Sequence, residues 1–345
     1  MAIRVEPLTS ADDPELTDFL TKVGTATPSV LGYHYPFYRD MLIEVGVGQP
    51  LYLAARADGE LVGFLPAFAK ECGAGCVYSS LPYFGPNAGV ICGDEKLRAE
   101  IHARLLQTLL EYASRPTSLS CSVYTPFLFN NFELYNEAIP GAIVIDRFTQ
   151  YTDLRTAAWS KNIAYDLRRA KQLGVEVSTT ISPERVAAFY EIYEQNCSDY
   201  GIPPKSRRCV DYLLREELLG LHTNIYFAFH QEKMIGGLLM IWSPRTASYY
   251  LPCTRAGARN LQPGTLLIDQ AVQDARERGI EIWNWESSPS RESGVYRFKK
   301  RWDSAEGMYR IYLQTFRDEG TFRELGSEGI VKNFPFYFVY PFADL

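Results

Sequence analysis

The sequence has few of the residues that build metal or disulfide sites. Its 345 residues include 4 histidines and 7 cysteines, an odd number with no CxxC pair and no histidine at zinc-ligand spacing. Walker A, GxGxxG, HExxH and GxSxG motifs are absent as well. These absences argue against NTPase, dinucleotide-binding, zinc-protease and serine-hydrolase functions. We therefore predict no metal ion and no tightly bound cofactor.

Long apolar runs and an excess of positive charge are also missing. No segment approaches the roughly 18 uncharged apolar residues of a membrane span, and the start of the chain lacks the apolar region of a signal peptide. The balance of 35 Lys and Arg against 41 Asp and Glu gives a net charge of −6. This net charge excludes polyanion binding that depends on the overall charge of the protein, but it allows a local basic groove. We expect a cytoplasmic protein with no membrane span and no DNA partner.

What is present is an ordinary globular composition, with 46% apolar and 14% aromatic residues. At about 100 to 200 residues per domain, the length suggests two domains. Alternating and helical apolar periods predict the same order of elements in each half: strand, helices, hairpin, strand, long helix, strand. In the second half we predict a basic helix at 153–173 ending at Gly174, a helix starting at Ser182-Pro183, a strand at 248–251, a helix at 263–278 and a strand at 280–286.

The two hairpins of this pattern resemble each other in sequence. Adding 174 to the first places Tyr52 on Tyr226 and Gly63 on Gly237. A chance likeness of short apolar strands is the alternative, but the matching order of elements favours a duplication. We predict an α/β (α+β) chain with domains at 1–150 and 151–320, followed by a tail at 321–345 that packs on the body.

A candidate anion site follows the strand at 248–251. A strand that leads through a loop into a helix N-terminus presents unpaired N–H groups and the positive end of the helix dipole. Arg255, Arg259, Gly264 and Thr265 lie in this loop and at this helix start. An ordinary surface loop before a well-started helix is the alternative interpretation.

Three segments carry a resemblance to a known family. NIAYDLRRAKQLGVEV (162–177), FYEIY (189–193) and SGVYRFKKRW (293–302) resemble, in order and spacing, the FemAB-like branch of the GNAT acyltransferase superfamily. The loop RNLQPG (259–264) is similar to the GNAT loop that holds the coenzyme A pyrophosphate, with Gln262 in place of its first glycine. Asp199-Tyr200-Gly201 replaces the Arg-Asp-Gly of members that act on peptidoglycan precursors.

The resemblance implies a fold and an activity. The fold is two tandem GNAT-like domains, each with a mixed, mostly antiparallel sheet flanked by helices. The activity is N-acyl transfer that forms an amide on a primary amine of a small-molecule or peptide acceptor. The acyl donor implied is aminoacyl-tRNA, with acyl-CoA as the alternative co-substrate. A non-catalytic tandem-GNAT binding protein is an alternative of another class.

The residues that such a transfer needs are an acid, a base and donors for the oxyanion. Lys299 matches the Phe-Lys of the terminal motif and places a positive charge near the donor; a solvated lysine in a charge run is its alternative. Tyr296 is a candidate acid for the leaving group, and Glu286 is a candidate base for the amine. Tyr250 and Trp285 are candidates to line the acceptor cleft, with core packing as the alternative for Trp285.

A tRNA acceptor end also needs a basic surface. Four basic residues of the predicted helix at 153–173 are candidates to contact phosphates. Decoration of an ordinary exposed helix is the alternative. These residues are Lys161, Arg168, Arg169 and Lys171.

Overall fold

The computed structural model describes residues 2–83 and 88–342. It contains two compact units, unit 1 (Met1–Phe148 with Met308–Leu345) and unit 2 (Thr149–Gly307). Residues 308–320, which we had predicted to belong to the second domain, therefore fall in unit 1. No helix of the described residues is both long and apolar enough to cross a membrane.

The elements of unit 1 begin with a strand and two helices, and the unit is completed by chain that follows unit 2. They are β1 (Ile3–Pro7), α1 (Asp13–Ala26), α2 (Pro36–Glu44), β2 (Gln49–Pro50), β3 (Leu53–Ala57), β4 (Glu60–Leu65), β5 (Phe68–Cys72), β6 (Gly75–Ser79), β7 (Ile91–Cys92), α3 (Arg98–Ala113), β8 (Ser118–Tyr124) and α4 (Glu133–Ala138).

The strands of unit 1 form mixed sheets covered by α3. β1, β3, β4 and β7 pair antiparallel in that order, whereas β6 pairs with β8 in parallel and with β5 antiparallel. Ile101, Leu105 and Leu109 recur every four residues along α3, are buried and pack in one core cluster with the strands. A strand was predicted at 77–81, where β6 lies, but β5 and its pairing with β6 were not, because β5 carries no clear alternation.

The rest of the chain supplies unit 2 and the C-terminal part of unit 1. Its elements are β9 (Ile143–Asp153), α5 (Lys161–Gln172), β10 (Val175–Ser178), α6 (Pro183–Asp199), α7 (Arg207–Leu213), β11 (Thr223–His230), β12 (Lys233–Trp242), β13 (Thr246–Thr254), α8 (Pro263–Glu277), β14 (Ile282–Ser287), α9 (Gly294–Lys300), β15 (Ala305–Thr315) and α10 (Glu319–Asn333).

Unit 2 is built on a sheet with helices on both faces. The order β10-β11-β12-β13 is antiparallel, β13 and β14 are parallel, and β14 pairs antiparallel with the end of β9. Side chains alternate between the faces of β11, so Tyr226 and Ala228 share the core cluster of α8. Phe227 instead meets Phe189 of α6, with ring centroids 6.2 Å apart.

Local signals set most helix ends in unit 2. Ser182 accepts a hydrogen bond from the backbone N–H of Arg185, and Gly174 adopts the positive φ of +76° expected after a helix. The predicted basic helix at 153–173 was too long at its start. Asp153 ends β9 and pairs with Arg155, and the helix begins only after Ser160, whose side chain accepts from the N–H of Ile163.

The two hairpins are similar in structure, but the offset of 174 was wrong by one residue. The two-residue turns are Asp58-Gly59 and Gln231-Glu232, all four with positive φ. Each first strand has its register irregularity directly after an alanine, Ala55 and Ala228. Adding 173 to the residue numbers of the first hairpin therefore aligns both the turns and the bulges of the two hairpins. The structural repeat follows these backbone features and not the identical residues that suggested 174.

The C-terminal tail predicted at 321–345 belongs to unit 1 as far as the structure describes it. Phe322 and Val339 are buried, and the Ser120 hydroxyl donates to the carbonyl oxygen of Val339 at 2.8 Å. Residues 343–345 lie outside the described part of the chain.

Candidate active site

The candidate site lies where two parallel strands of unit 2 separate. β13 and β14 pair only through Thr246–Ser248 and Ile282–Asn284 within the described residues, although β13 continues to Thr254 and β14 to Ser287. Beyond these residues, the backbone N–H and C=O groups of β13 and β14 do not hydrogen-bond from one of these strands to the other. The opening can therefore admit a ligand that hydrogen-bonds to strand backbone.

Each strand is irregular at the opening. In the β12–β13 pair, Leu239 faces Leu251 and Met240 faces Tyr249, so Tyr250 is an extra residue on β13. On β14, Glu286 has φ = +60°, which is the left-handed region, and the pairing with β9 is irregular between Asn284 and Ser287. A left-handed glutamate is uncommon, and both bulges and such backbone outliers concentrate at functional sites.

Asn284 holds the strained glutamate in place. Its amide Nδ2 donates to Glu286 Oε1 at 2.7 Å, and its Oδ1 accepts the backbone N–H of Glu286 at 3.0 Å. The same amide lies 3.3 Å from Ser248 Oγ, and Thr149 Oγ1 donates to Asn284 Oδ1 at 3.4 Å. Asn284 is fully buried. It therefore ties β14 to both neighbouring strands and fixes the Glu286 carboxylate.

Lys299 is buried beside the same turn. Its Nζ donates to the carbonyl oxygens of Glu286 at 3.1 Å and Ser287 at 2.9 Å, and the residue is 3% exposed. Burial lowers the pKa of Lys299 to about 8, and the nearby charge of Glu286 opposes this shift. The alternative of a solvated lysine is therefore wrong, and the structure brings Lys299 and Glu286 together.

A second buried lysine, Lys205, was missed by the sequence analysis. It is 0% exposed, and its Nζ lies 5.9 Å from the centroid of the Tyr250 ring. Burial lowers the pKa of Lys205 well below its usual range, and the charges of Cys209, Cys197 and Glu286 oppose that shift. Lys205 follows two prolines in a short loop, where a lysine would ordinarily be exposed, so the sequence holds no signal for it.

Tyr296 and Trp285, the candidate acid and a candidate residue of the acceptor cleft, both hydrogen-bond to other side chains of the protein. The Tyr296 hydroxyl donates to Glu306 Oε1 at 2.6 Å, and Glu306 also pairs with Arg291. Trp285 is 1% exposed, and its indole N–H donates to Thr152 Oγ1 at 2.8 Å. Trp285 is therefore a core residue and does not line the acceptor cleft, because its polar edge and its rings are both covered.

Residues of the predicted anion site surround the start of α8. Gln262 precedes this helix and has φ = +60°. The Thr265 hydroxyl donates to Gln262 Oε1 at 3.3 Å. Thr265 is buried, and its backbone N–H donates to the carbonyl oxygen of Gln262 at 3.2 Å. A residue larger than Gly264 has room, since a Cβ there would meet only the Thr254 hydroxyl oxygen at 3.9 Å.

The two arginines of this loop are exposed, and their guanidinium groups contact residues of other elements. The Arg255 guanidinium lies 3.3 Å from Glu191 Oε1 and donates from Nε to the Met234 carbonyl, and Arg259 lies 3.3 Å from the Tyr200 hydroxyl. A cavity of about 350 Å³ adjoins Arg255 and is lined by residues 256–258 and the C-terminal part of α6. This cavity and the N-terminus of α8 belong to the same loop.

Comparison with known proteins identifies the type of domain. Residues 158–285 match the family model described as the acetyltransferase (GNAT) domain. No curated protein matches the chain in sequence.

Solved structures match over nearly the whole chain, at identities that show the fold alone. FemX is 12% identical with a TM-score of 0.67, covering 89% of this chain and 96% of FemX. The C-terminal domain of a putative lysylphosphatidylglycerol synthetase from Agrobacterium fabrum is 12% identical, with a TM-score of 0.59 and coverage of 93% and 97%.

A tandem GNAT protein from the clavulanic acid biosynthesis pathway is 11% identical, with a TM-score of 0.53, and covers 92% of this chain and all of its own. The predicted fold class and the FemAB-like resemblance are confirmed by these matches. The chain has the fold of FemX and of this tandem GNAT protein, and its residues 158–285 match the acetyltransferase (GNAT) domain.

Proposed function

We propose that unit 2 is an N-acyltransferase that forms an amide on a primary amine of a small-molecule or peptide acceptor. The observation that carries this proposal is the opening between β13 and β14, with Glu286 held at its edge by Asn284 and Lys299. Separated parallel strands supply backbone hydrogen bonds to an extended donor, and the carboxylate and the ammonium stand where charge changes during the transfer.

The chemistry needs one proton acceptor and one source of positive charge. The amine nitrogen attacks the acyl carbonyl, the ester C–O or thioester C–S bond breaks, and the nitrogen loses a proton to the Glu286 carboxylate, directly or through a water. The departing oxygen or sulfur takes up a proton from the solvent. Lys299 uses two of its three N–H groups on the backbone of Glu286 and Ser287, which leaves one to face the reacting carbonyl or the donor.

The preferred donor is aminoacyl-tRNA. The N-terminus of α8 with exposed Arg255 and Arg259 suits a phosphate-bearing donor. Helix α5 adds a basic surface that suits a nucleic acid backbone, together with Tyr165, which is 54% exposed and available for stacking on a base. The exposed basic residues of this surface are Lys161, Arg168, Arg169 and Lys171.

Acyl-CoA is the second candidate donor. The observation that favours it is the match of residues 158–285 to a domain family described as acetyltransferase, with the start of α8 inside the matched range. Both donors place phosphate near the same helix start and an activated carbonyl at the same opening. The two donors differ in length and in their use of the base-stacking surface on α5. They also differ in the leaving atom, which is oxygen for aminoacyl-tRNA and sulfur for acyl-CoA.

The direct test mixes purified protein with a primary amine panel and either labelled aminoacyl-tRNA or labelled acyl-CoA. Mass spectrometry of the products identifies the acylated amine and the donor. Transfer from aminoacyl-tRNA that weakens in an Arg168→Glu, Arg169→Glu double variant supports the tRNA donor. If acyl groups are transferred only from acyl-CoA, the donor is acyl-CoA and not aminoacyl-tRNA, and the proposed amide-forming reaction stands. No transfer from either donor overturns the proposal in favour of a non-catalytic binding protein.

The rate of transfer should fall as the pH rises through about 8. Burial lowers the pKa of Lys299 to about 8, so its ammonium is charged below that pH and neutral above it. If the charge assists the reaction, activity is lost on the alkaline side. In Lys299→Arg the side chain stays charged to a much higher pH, so the alkaline decline should disappear from a kcat profile. An unchanged decline in Lys299→Arg would assign it to another group.

Gly264→Asp should weaken donor binding while leaving the fold stable. A carboxylate in the first turn of α8 interacts favourably with the helix dipole by about 0.3–1 kcal/mol, and the site has room for it. The same negative charge repels a donor phosphate. We expect donor affinity to fall at least tenfold by calorimetry, with thermal stability unchanged or higher. Gly264→Ala is the matched control. Equal donor affinities of the two variants would show that the donor phosphate does not bind at this loop.

A further inference from the structure

One buried charged residue of unit 2 has no part in the chemistry proposed above. Lys205 lies in the loop between α6 and α7 and is 0% exposed. Lysine is almost never fully buried unless its ammonium is paired, because taking a charge out of water is costly. A negative charge close to Lys205 must therefore compensate its burial.

Two tyrosines of α6 hold the backbone of Lys205. The N–H of Lys205 donates to the Tyr193 hydroxyl at 3.0 Å, and its carbonyl oxygen accepts from the Tyr190 hydroxyl at 2.9 Å. Both backbone groups are thereby satisfied by one helix. The loop is fixed where it passes α6, and the side chain of Lys205 lies in the interior of unit 2.

The groups that face the Lys205 ammonium come from α6, α7, β13 and β14. The centroid of the Tyr250 ring lies 5.9 Å from Nζ, and the Tyr250 hydroxyl lies 3.8 Å from the Cys209 sulfur. Burial lowers the pKa of Lys205 well below its usual range, and Cys209, Cys197 and Glu286 oppose this shift. A thiol is neutral at neutral pH, and burial raises the pKa of Cys197 further. The full negative charge in this set is therefore that of Glu286.

Glu286 is half-buried and interacts with two lysines in different ways. Lys299 donates to the backbone carbonyl of Glu286 at 3.1 Å and holds the turn, while Asn284 binds the carboxylate through Oε1. The charge of Lys205 acts on Glu286 from the interior of unit 2. Burial alone favours the protonated form of a carboxyl group, whereas a nearby ammonium favours the ionised form. Lys205 therefore offsets what burial does to Glu286.

We propose that Lys205 is a positioning residue for acyl transfer, whose ammonium keeps the Glu286 carboxylate ionised and ready to accept the proton of the amine. This proposal rests on the role of Glu286 as the base. Lys205 is fully buried and touches no substrate, so it acts only through Glu286. The same ammonium makes protonated Glu286 a better acid, so the proton taken from the amine passes on to water after the amide has formed.

The pH profile of single-turnover transfer separates this role from a structural one. Lys205→Met keeps the length of the side chain but removes the charge that favours ionised Glu286, so the carboxylate becomes protonated at a higher pH. We expect the acid-side midpoint of the rate to rise by about one pH unit or more, while the rate at about pH 7 stays within about threefold of the parent protein. Lys300→Met removes an exposed lysine and should leave the midpoint unchanged. A rate lowered equally at every pH, with an unmoved midpoint, would overturn the proposal.

A thermal stability cycle tests the pair without using the reaction. Glu286→Gln leaves a buried ammonium without its carboxylate, and Lys205→Met leaves the carboxylate without its ammonium, so each variant should melt at a lower temperature than the parent protein. In the double variant both charges are gone, so the two losses should be clearly less than additive. A double variant that is less stable than either single variant by the full sum would overturn the pair, and so would one that does not fold.

The two measurements keep this proposal distinct from the proposed function. Less than additive losses in a protein that transfers no acyl group would contradict the function but not the pair. An active protein whose acid-side midpoint does not move in Lys205→Met would contradict the role of Lys205 and leave the function intact. If Lys205→Met alone does not fold, a folded double variant still supports the pair, because removing the carboxylate then restores a stable interior.

Discussion

Lys299→Met lowers acyl transfer by about 10²-fold or more. The substitution keeps the length of the apolar stem but removes the ammonium, which donates to the carbonyls of Glu286 and Ser287. Removing one donor that stabilises charge in a transition state typically costs about 10²–10³ in kcat. The backbone turn that carries Glu286 also loses its two hydrogen bonds. We expect kcat to fall far more than KM rises.

The neighbouring Lys300 provides a matched control. It is exposed, and its Nζ donates to the Ser304 carbonyl at 2.7 Å. Lys300→Met removes the same charge from the same helix, so kcat should stay within about twofold of the parent protein because exposed charges contribute little. If the two variants lost activity equally, the general charge of α9 and not the buried contact would be responsible.

Trp285→Ala destabilises the protein by about 3–5 kcal/mol, as expected for a large aromatic side chain removed from a core. Trp285 is 1% exposed and packs against other rings, with centroids 5.4 Å from Trp283 and 5.2 Å from Tyr249. Deleting it leaves a cavity between β14 and α9. Urea unfolding followed by far-UV circular dichroism measures the change.

Two milder variants separate packing from the hydrogen bond. Trp285→Phe keeps an aromatic ring but loses the N–H that donates to Thr152, and Thr152→Val removes the acceptor and leaves the indole. Both should cost less than Trp285→Ala, because most of the side chain remains packed. A Trp285→Ala protein of normal stability with a raised KM for the amine would instead return Trp285 to the acceptor cleft.

Features of the fold that depend on local sequence could be predicted. Ser182-Pro183 begins α6, Gly174 ends the turn after α5, and Asp58-Gly59 forms a hairpin turn, as the residues indicate. The N-terminus of α8 at Pro263 also follows from its residues. In each case a cap, a fixed φ or a tolerance of positive φ acts within a few residues, so the sequence carries the information directly.

Features that depend on distant pairing could not. Residues 308–345 follow unit 2 in sequence, yet they belong to unit 1, where Ile311–Thr315 of β15 pair with β8. The helix predicted at 153–173 was too long at its start because Asp153 pairs with Ile282 of β14. Alternation and helical period describe one segment at a time and do not specify which strand becomes its neighbour.

The candidate site shows the same division. Glu286 and Lys299, which the structure brings together, were named as candidates from the sequence, Glu286 from its position at a strand end and Lys299 from the FemAB-like motif. Asn284 had a weak signal, since a polar residue between two tryptophans of a buried strand needs a partner. Lys205 had none, because it is buried beside Tyr250, which lies more than forty residues away in sequence.

The measurement that tests the central claim most directly is acyl transfer by Glu286→Gln under single-turnover conditions, with donor affinity measured in parallel. The amide keeps the size of the side chain and an oxygen for Asn284, but it cannot accept the amine proton. We predict a rate at least 10²-fold lower with unchanged donor affinity, the usual effect of losing a general base. Transfer at the parental rate would contradict the account, and so would a loss of activity explained entirely by weaker donor binding.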